Sequence, residues 1–268
     1  MPSEDLEYPK QPYSKVNRYD VRATYALKTI HELVNTCPIL QVSFAVPDSP
    51  FPMLLPMIGQ MGSFERPSAD TGDVLELYLH GYVSSRVINL ARRAGGSGLP
   101  ITVGAAHLDG LVLSLTPNTH SYNYRSAVLF GRAELVADEA EKVYAMSLIT
   151  DGVVRDRYRH TRTPPSGAEL QSTGVLRVRI EAGSAKIRAG MPSDDRRDLA
   201  DEDLLDRVWT GVLPVHYALA DPVPGPYNRL PAPPAYLEDF VRSANRDAAE
   251  IAAGAATKVM KPKAKGEE

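Results

Sequence analysis

Ser84, Ser85 and Arg86 stand side by side ahead of an apolar-periodic run, Val87, Ile88, Leu90 and Ala91, and together offer an anion two hydroxyls and a guanidinium. That chemistry suits a phosphate. The first amides of a helix have no partner inside it, the helix dipole is positive at that end, and arginine grips phosphate oxygens through two parallel hydrogen bonds. An ordinary strand-to-helix junction with a surface arginine meets the same spacing, and spacing alone does not separate the two. His107, His120 and His216 have no cysteine or carboxylate at metal-ligand spacing, so no metal site is predicted. His31 in a helical pattern and His160 in a loop read as surface residues.

Such a cradle needs a strand, a turn and a helix start. Val74, Leu75, Leu77 and Leu79 predict the strand, Gly81 a sharp backbone turn, and Ser84 or Ser85 the N-cap. Upstream, Asp20 predicts the N-cap of a helix over 20–35, with Leu27, Ile30, Leu33 and Val34 on one face and Pro38 ending it. Leu40, Val42, Phe44 and Val46 alternate with Gln41, Ser43 and Ala45 as in a half-buried strand. A second strand over 53–58 holds Pro56, which confines it to a sheet edge or a bulge.

Downstream, Asp109-Gly110 between two apolar runs is a two-residue hairpin signal. A long strand over 124–136 follows, then a helix opened by Asp138, and a short helix with the Ser166 and Glu169 capping pattern. Strands are expected over 175–181, with Arg177 and Arg179 on a wet or cofactor-facing side, over 185–188, and over 209–217. Residues 194–207 read as a solvated helix or loop. The chain divides into an arm (1–19), a main domain (20–220), a proline-rich linker (221–234) and a C-terminal helix with a charged tail (235–268).

About six or seven short strands with interspersed helices predict a mainly β fold with α, a closed or nearly closed barrel with helices outside it. The alternation is too irregular for a doubly wound parallel sheet, and Gly95-Gly96-Ser97-Gly98 follows a helix rather than a strand. A net charge of −3 over 268 residues argues against a protein that coats nucleic acid. The single cysteine, Cys37, excludes an intramolecular disulfide framework, and is expected to pack in the core at a helix end in a reducing compartment. No apolar run reaches the roughly 18 residues of a membrane span, and the first residues lack an apolar signal core. A soluble, cytoplasmic protein with no membrane or nucleic-acid partner is expected.

Several stretches, in order, resemble one family. They are His80-Gly81-Tyr82-Val83-Ser84-Ser85-Arg86, the run His107-Leu108-Asp109-Gly110-Leu111-Val112-Leu113, and the strand from His120 through Arg125-Ser126 to Ala133. Ser184-Ala185-Lys186-Ile187-Arg188 and Trp209-Thr210-Gly211-Val212-Leu213-Pro214 complete the set. Over roughly residues 20–217 the chain resembles the flavin-nucleotide-binding proteins related to pyridoxamine 5′-phosphate oxidase, among them the nitroimidazole-resistance branch.

The resemblance implies an FMN-binding split β-barrel with flanking helices, a homodimer holding two flavins at its interface. By the same resemblance, Ser85 and Arg86 are the FMN phosphate ligands, with Ser84 beside them. Leu55, Pro56 and Met57 border the edge of the isoalloxazine ring and tune it through backbone groups. Asn123, Arg125 and Ser126 come from the long interface strand and reach towards the partner's flavin, and Lys186 joins the cofactor site or, with Arg188, lines a wet face of the barrel. Trp209 lies near the cofactor or serves as a core or interface tryptophan. His80 is the catalytic candidate, a neutral imidazole donating to substrate or flavin; a histidine bonded to the cradle backbone is the alternative. Three functions follow: an FMN-dependent oxidoreductase acting on a small flat organic substrate, a non-enzymatic flavin-sequestering protein, or a haem-handling barrel with His216 as ligand. One departure counts against pyridoxamine phosphate as substrate: Gly211-Val212-Leu213-Pro214 lacks the arginine of the oxidases' Arg-Leu-x-Pro pattern.

Overall fold

In the computed structural model, residues 5–47 and 49–259 are described. In chain order the first elements are β1 (Ala23–Thr24), α1 (Leu27–Thr36), β2 (Leu40–Phe44), β3 (Met53–Met57), β4 (Gly59–Gly62), β5 (Glu76–Tyr82) and α2 (Arg86–Ala94). Then come β6 (Leu99–Leu113), β7 (Ser121–Leu135), α3 (Glu139–Val153), α4 (Gly167–Ser172) and β8 (Thr173–Arg188). The last are α5 (Glu202–Arg207), β9 (Gly211–Pro214) and α6 (Ala235–Thr257). The chain forms two compact units, one from the residues up to Ala106 with Ser126–Lys186, the other from His107–Arg125 with the residues from Ile187 onward.

In the first unit the strand order is β3-β2-β6-β7-β8-β5-β4, with β1 added on β8. The two end strands follow one another in the chain with only Ile58 between them, so the sheet comes round on itself and stays open at that corner. This is a split barrel with flanking helices. Pro56 sits where a proline is tolerated, opposite Gln41 on an end strand with a single neighbour. Gly59 turns the corner into β4, a strand the sequence did not suggest. A Cβ at Gly59 would lie 2.5 Å from Leu79 Cδ2 and 2.7 Å from the Tyr78 carbonyl oxygen, so only glycine fits.

The barrel core takes Leu40, Val42 and Phe44 from β2, Leu77 and Leu79 from β5, and Leu176 and Val178 from β8. Helix α1 adds Leu27, Ile30, Leu33 and Val34, and Cys37 is buried at its end as expected. On the opposite face of β5 and β8, Tyr78 and Val175 pack with Ala145 and Ile149 of α3. Asp138 caps α3 through the Glu141 amide, and Ser166 with Glu169 forms the expected capping box on α4. The Tyr78 hydroxyl donates to Glu141 Oε1 at 2.9 Å, and Arg177 pairs with both Glu141 and Glu134, at 3.1 and 3.3 Å. Arg179 pairs with Glu134 as well, so Arg177 and Arg179 of β8 are both engaged in ion pairs within this unit.

Three expectations change in the first unit. The helix predicted from residue 20 begins only at Leu27, because Ala23 and Thr24 pair as β1 with Lys186 and Ala185. The strands predicted over 175–181 and 185–188 are one strand, β8. His31 is not a surface residue. It lies four residues after Leu27 and next to Ile30, on the apolar side of α1, and is fully buried.

His31 Nδ1 donates to the Thr71 carbonyl oxygen at 2.9 Å, because a carbonyl can only accept, and Nε2 therefore accepts from the Tyr8 hydroxyl at 2.7 Å. Burial lowers the imidazole pKa, against a smaller opposing pull from the Thr71 carbonyl. Burial, with the Glu76 carboxylate adding to it, pushes the Tyr8 phenol up, so it stays protonated and can donate. The folded pKa of His31 lies below its unfolded value near 6.5. The stability it contributes is thus complete above about pH 6.5 and lost as pH falls through the folded value, at up to about 1.4 kcal/mol per pH unit. Urea midpoints should fall between pH 7.5 and 5, and His31→Gln should flatten that slope; an equal slope in the variant would clear His31 of the effect.

In the second unit, β9 pairs with the end of β6, Gly110 opposite Pro214 through Leu113 opposite Gly211. The hairpin expected at Asp109-Gly110 does not exist, since β6 runs unbroken from Leu99 to Leu113. Gly110 serves close approach instead of a turn: a Cβ there would lie 2.8 Å from Val212 Cγ1. Asp109 is buried and accepts from Arg125 Nε at 2.8 Å and Nη2 at 2.9 Å. The strand expected over 209–217 is confined to β9. Helix α6 forms where a C-terminal helix was expected, with Tyr236, Phe240, Val241, Ala244 and Ala248 of its expected apolar stripe half-buried and Ile251 exposed, and its Asn245 exchanges two hydrogen bonds with the Leu219 backbone.

Candidate functional site

Strand β5 runs through Gly81 to Tyr82, so the reversal comes later than Gly81. Gly81 has ordinary extended geometry and pairs with Gly174 of β8. Gly174 makes room for α2, since a Cβ there would lie 2.8 Å from Ile88 Cδ1, whereas a Cβ on Gly81 would meet nothing closer than Ser85 Oγ at 3.7 Å. The turn spans residues 82–85, closed by the Ser85 amide donating to the Tyr82 carbonyl at 2.8 Å. Helix α2 then starts at Arg86, with Val87, Ile88 and Ala91 buried.

Ser85 holds the N-cap position, but its side chain makes no capping bond. Its Oγ is buried with no hydrogen-bond partner among the described residues. An unsatisfied buried hydroxyl costs about 1–3 kcal/mol, so it marks a place where a partner belongs. The hydroxyl borders a cavity of about 430 Å³ that Leu55, Pro56, Met57, His80 and Val87 also line. One wall is thus the end strand β3, whose alternate backbone groups have no neighbouring strand. An apolar slot, a bare strand edge and a helix start fit a flat heteroaromatic ring that carries an anionic tail.

Arg86, the next residue, is exposed, and among the described residues its one side-chain hydrogen bond is a weak one to Met53 Sδ at 3.6 Å. Its other guanidinium donors have no hydrogen-bond partner among the described residues. His80 is half-buried on the face of β5 that carries Tyr78, and burial lowers its pKa, so at pH 7 the ring is neutral. Ile39 and Val87 belong to the cavity wall and were not singled out as site residues. Ile39 stands between a helix and a strand, where no periodic pattern marks it.

Ser84, Arg86 and the other residues assigned from the resemblance are not among those that line this cavity. Ser126 Oγ donates to the Lys186 carbonyl oxygen at 3.1 Å. Lys186 Nζ donates to the Arg18 carbonyl oxygen at 2.6 Å and lies 5.9 Å from the Tyr19 ring centroid. Asn123, Arg125 and Trp209 belong to the second unit. Asn123 is buried, donates to the carbonyls of Gly190 and Ala255, and accepts from Arg188. Arg125 is held by Asp109, and Trp209 is exposed with its ring over Gly211. His216 is exposed in the same unit. Among the described residues no cluster of three or more His, Cys, Asp or Glu could hold a metal ion, and no helix is long and apolar enough to cross a membrane.

The family model described as pyridoxamine 5′-phosphate oxidase matches residues 27–187. No curated protein matches the chain in sequence. Among solved structures, the flavocytochrome Anf3 from Azotobacter vinelandii is 28% identical, with a TM-score of 0.70, covering 86% of this chain and 97% of its own. The FAD and haem binding protein from Mycobacterium smegmatis is 27% identical, with a TM-score of 0.66, covering 82% of this chain and 97% of its own. A Bacteroides thetaiotaomicron structure described in terms of 5-nitroimidazole antibiotic resistance shares 18% identity at a TM-score of 0.46, covering 62% of this chain and 86% of its own, too distant to carry an argument.

Proposed function

The chain belongs to the pyridoxamine 5′-phosphate oxidase family, and from that premise we propose that it binds FMN and acts as an oxidoreductase on a small, flat organic substrate. The observation that carries this reading is the buried, unpartnered Ser85 hydroxyl at the start of α2, beside an apolar cavity. Ser85, Arg86 and the first amides of α2 would hold the terminal phosphate, with Ser84 at their side. The edge of β3 at Leu55, Pro56 and Met57 would flank the ring and exclude water. His80, neutral at pH 7, would supply a hydrogen bond to substrate or cofactor and is the catalytic candidate. When bound, the flavin supplies the redox chemistry, and the protein orients it and tunes its electronics.

The reading includes a homodimer with the flavin at its interface, to which Asn123, Arg125, Ser126, Lys186 and Trp209 would contribute; sedimentation at micromolar concentration tests the dimer. Pyridoxamine phosphate oxidation is not part of it, because residues 211–214 carry no arginine for the substrate phosphate. A second reading, in which the protein also handles haem, is favoured by two similar structures, one a flavocytochrome and one binding FAD and haem. His216 is its candidate ligand.

The deciding measurement is the visible spectrum of freshly purified protein, before and after addition of FMN, FAD and haem. Flavin bands bleached by a reductant and restored by an organic acceptor support the oxidoreductase. Flavin bands that no acceptor restores support a sequestering protein. A Soret band lost in His216→Ala supports the haem reading, and a colourless protein that refuses all three ligands overturns both.

A further inference from the structure

We propose that Asn89 and Arg92 are positioning residues that hold the anion cradle in its binding shape, an inference that rests on the flavin-phosphate reading. Neither lines the cavity. Both reach back from α2 to the turn that precedes it. Asn89 Nδ2 donates to the Ser84 carbonyl oxygen at 2.9 Å. Arg92 Nη2 donates to the Val83 carbonyl oxygen at 3.3 Å, and its Nη1 donates to Asn89 Oδ1 at 2.5 Å. The two side chains therefore form one brace across the two carbonyls at the centre of the turn.

The direction of Arg92 is informative. It stands in the last turn of α2, where its charge suits the negative end of the helix dipole. Its guanidinium nevertheless meets a carbonyl nine residues upstream. The physical consequence lies in the peptide planes. In a trans peptide the carbonyl and the next amide point in opposite directions, so fixing a carbonyl fixes that amide too. Holding the Val83 and Ser84 carbonyls to Arg92 and Asn89 directs the Ser84 amide away from the brace, and the Ser85 amide stays closed on Tyr82. Released, either carbonyl is free to rotate and set a partial negative charge against an incoming phosphate. The brace makes the site ready before the anion arrives, and a preorganised site binds more tightly than one that must be ordered on binding.

The test uses Asn89→Ala, Arg92→Gln and Arg92→Lys in the full chain, titrated with FMN and with riboflavin, which lacks the phosphate. Hydrogen exchange of the Ser85 amide is followed in the flavin-free protein. Each variant should lose about tenfold in FMN affinity, the scale of one hydrogen bond to a charged group, with riboflavin affinity unchanged. Exchange at the Ser85 amide, which is bonded to Tyr82, should rise by about the same factor while the buried turns of α2 stay protected. Asn89→Ala combined with Arg92→Gln should lose no more than the larger single change, because the two side chains act as a unit. Full recovery of FMN affinity by Arg92→Lys would reduce the contribution to charge alone and overturn the proposal. Unaltered exchange and affinity in Asn89→Ala, or an equal loss for riboflavin, would also overturn it. Where Arg86→Ala weakens FMN and the brace variants do not, the phosphate reading survives and the brace fails. Where the unaltered protein binds neither flavin, the phosphate reading fails, and the exchange of the Ser85 amide still decides whether the brace exists.

Discussion

Replacing Arg86 by alanine is expected to weaken FMN binding by about 1.5–3 kcal/mol, roughly tenfold to more than a hundredfold, the worth of a hydrogen bond to a charged group. The side chain is exposed and gives up only its long contact with Met53 Sδ, so the thermal midpoint should hold. Affinity for riboflavin should hold too, since that ligand brings no phosphate. Ser85→Ala gives a companion result of opposite sign in the two states. Without flavin the substitution removes a buried hydroxyl that has no partner, so stability should stay level or rise. With FMN it removes a ligand, so affinity should fall. Fluorescence quenching of the added flavin reads both variants, and an Arg86→Ala protein that keeps full FMN affinity would remove Arg86 from the site.

Arg125→Ala is expected to cost about 3–5 kcal/mol of stability, because it strands the buried Asp109 carboxylate without its two-point partner. The pair lies within the second unit, and the Arg125 side chain is only 25% exposed, so solvent screens it little. Asp109→Leu with Arg125→Met should regain most of the loss, since replacing both partners leaves no unpaired buried charge. Urea denaturation measures both variants. A loss below about 1 kcal/mol in Arg125→Ala would show a pair no stronger than an exposed one. The same variant tests whether Arg125 contributes to a flavin at an interface, by FMN affinity at a temperature where the variant remains folded.

Elements whose signals lie within a few residues were legible from the chain. The alternation from Leu40 to Phe44, the Asp138 cap, the Ser166 and Glu169 box and helix α6 all formed where expected. Pro56 told of an end strand for a covalent reason, since it has no amide to give a second neighbour. The strand, turn and helix around Ser85 and Arg86 were likewise written in residue types, and the ordered set of motifs was enough to identify the family. Other features depended on groups far along the chain. Asp109-Gly110 has the composition of a tight turn, yet Arg125 holds the aspartate and Val212 crowds the glycine, so the strand continues. His31 has the polarity of a surface residue, and only Tyr8 and Thr71 make its burial tolerable. Gly81 looked like the pivot of the cradle, whereas it continues β5 opposite Gly174, and Gly174 is the residue that lets α2 approach β8. Sequence alone therefore determined the family and the local elements, because those follow from side-chain chemistry and periodicity. Tertiary structure decided which polar groups are satisfied and which, like the Ser85 hydroxyl, are left waiting for a partner, because hydrogen bonding and burial depend on residues brought together only by the fold.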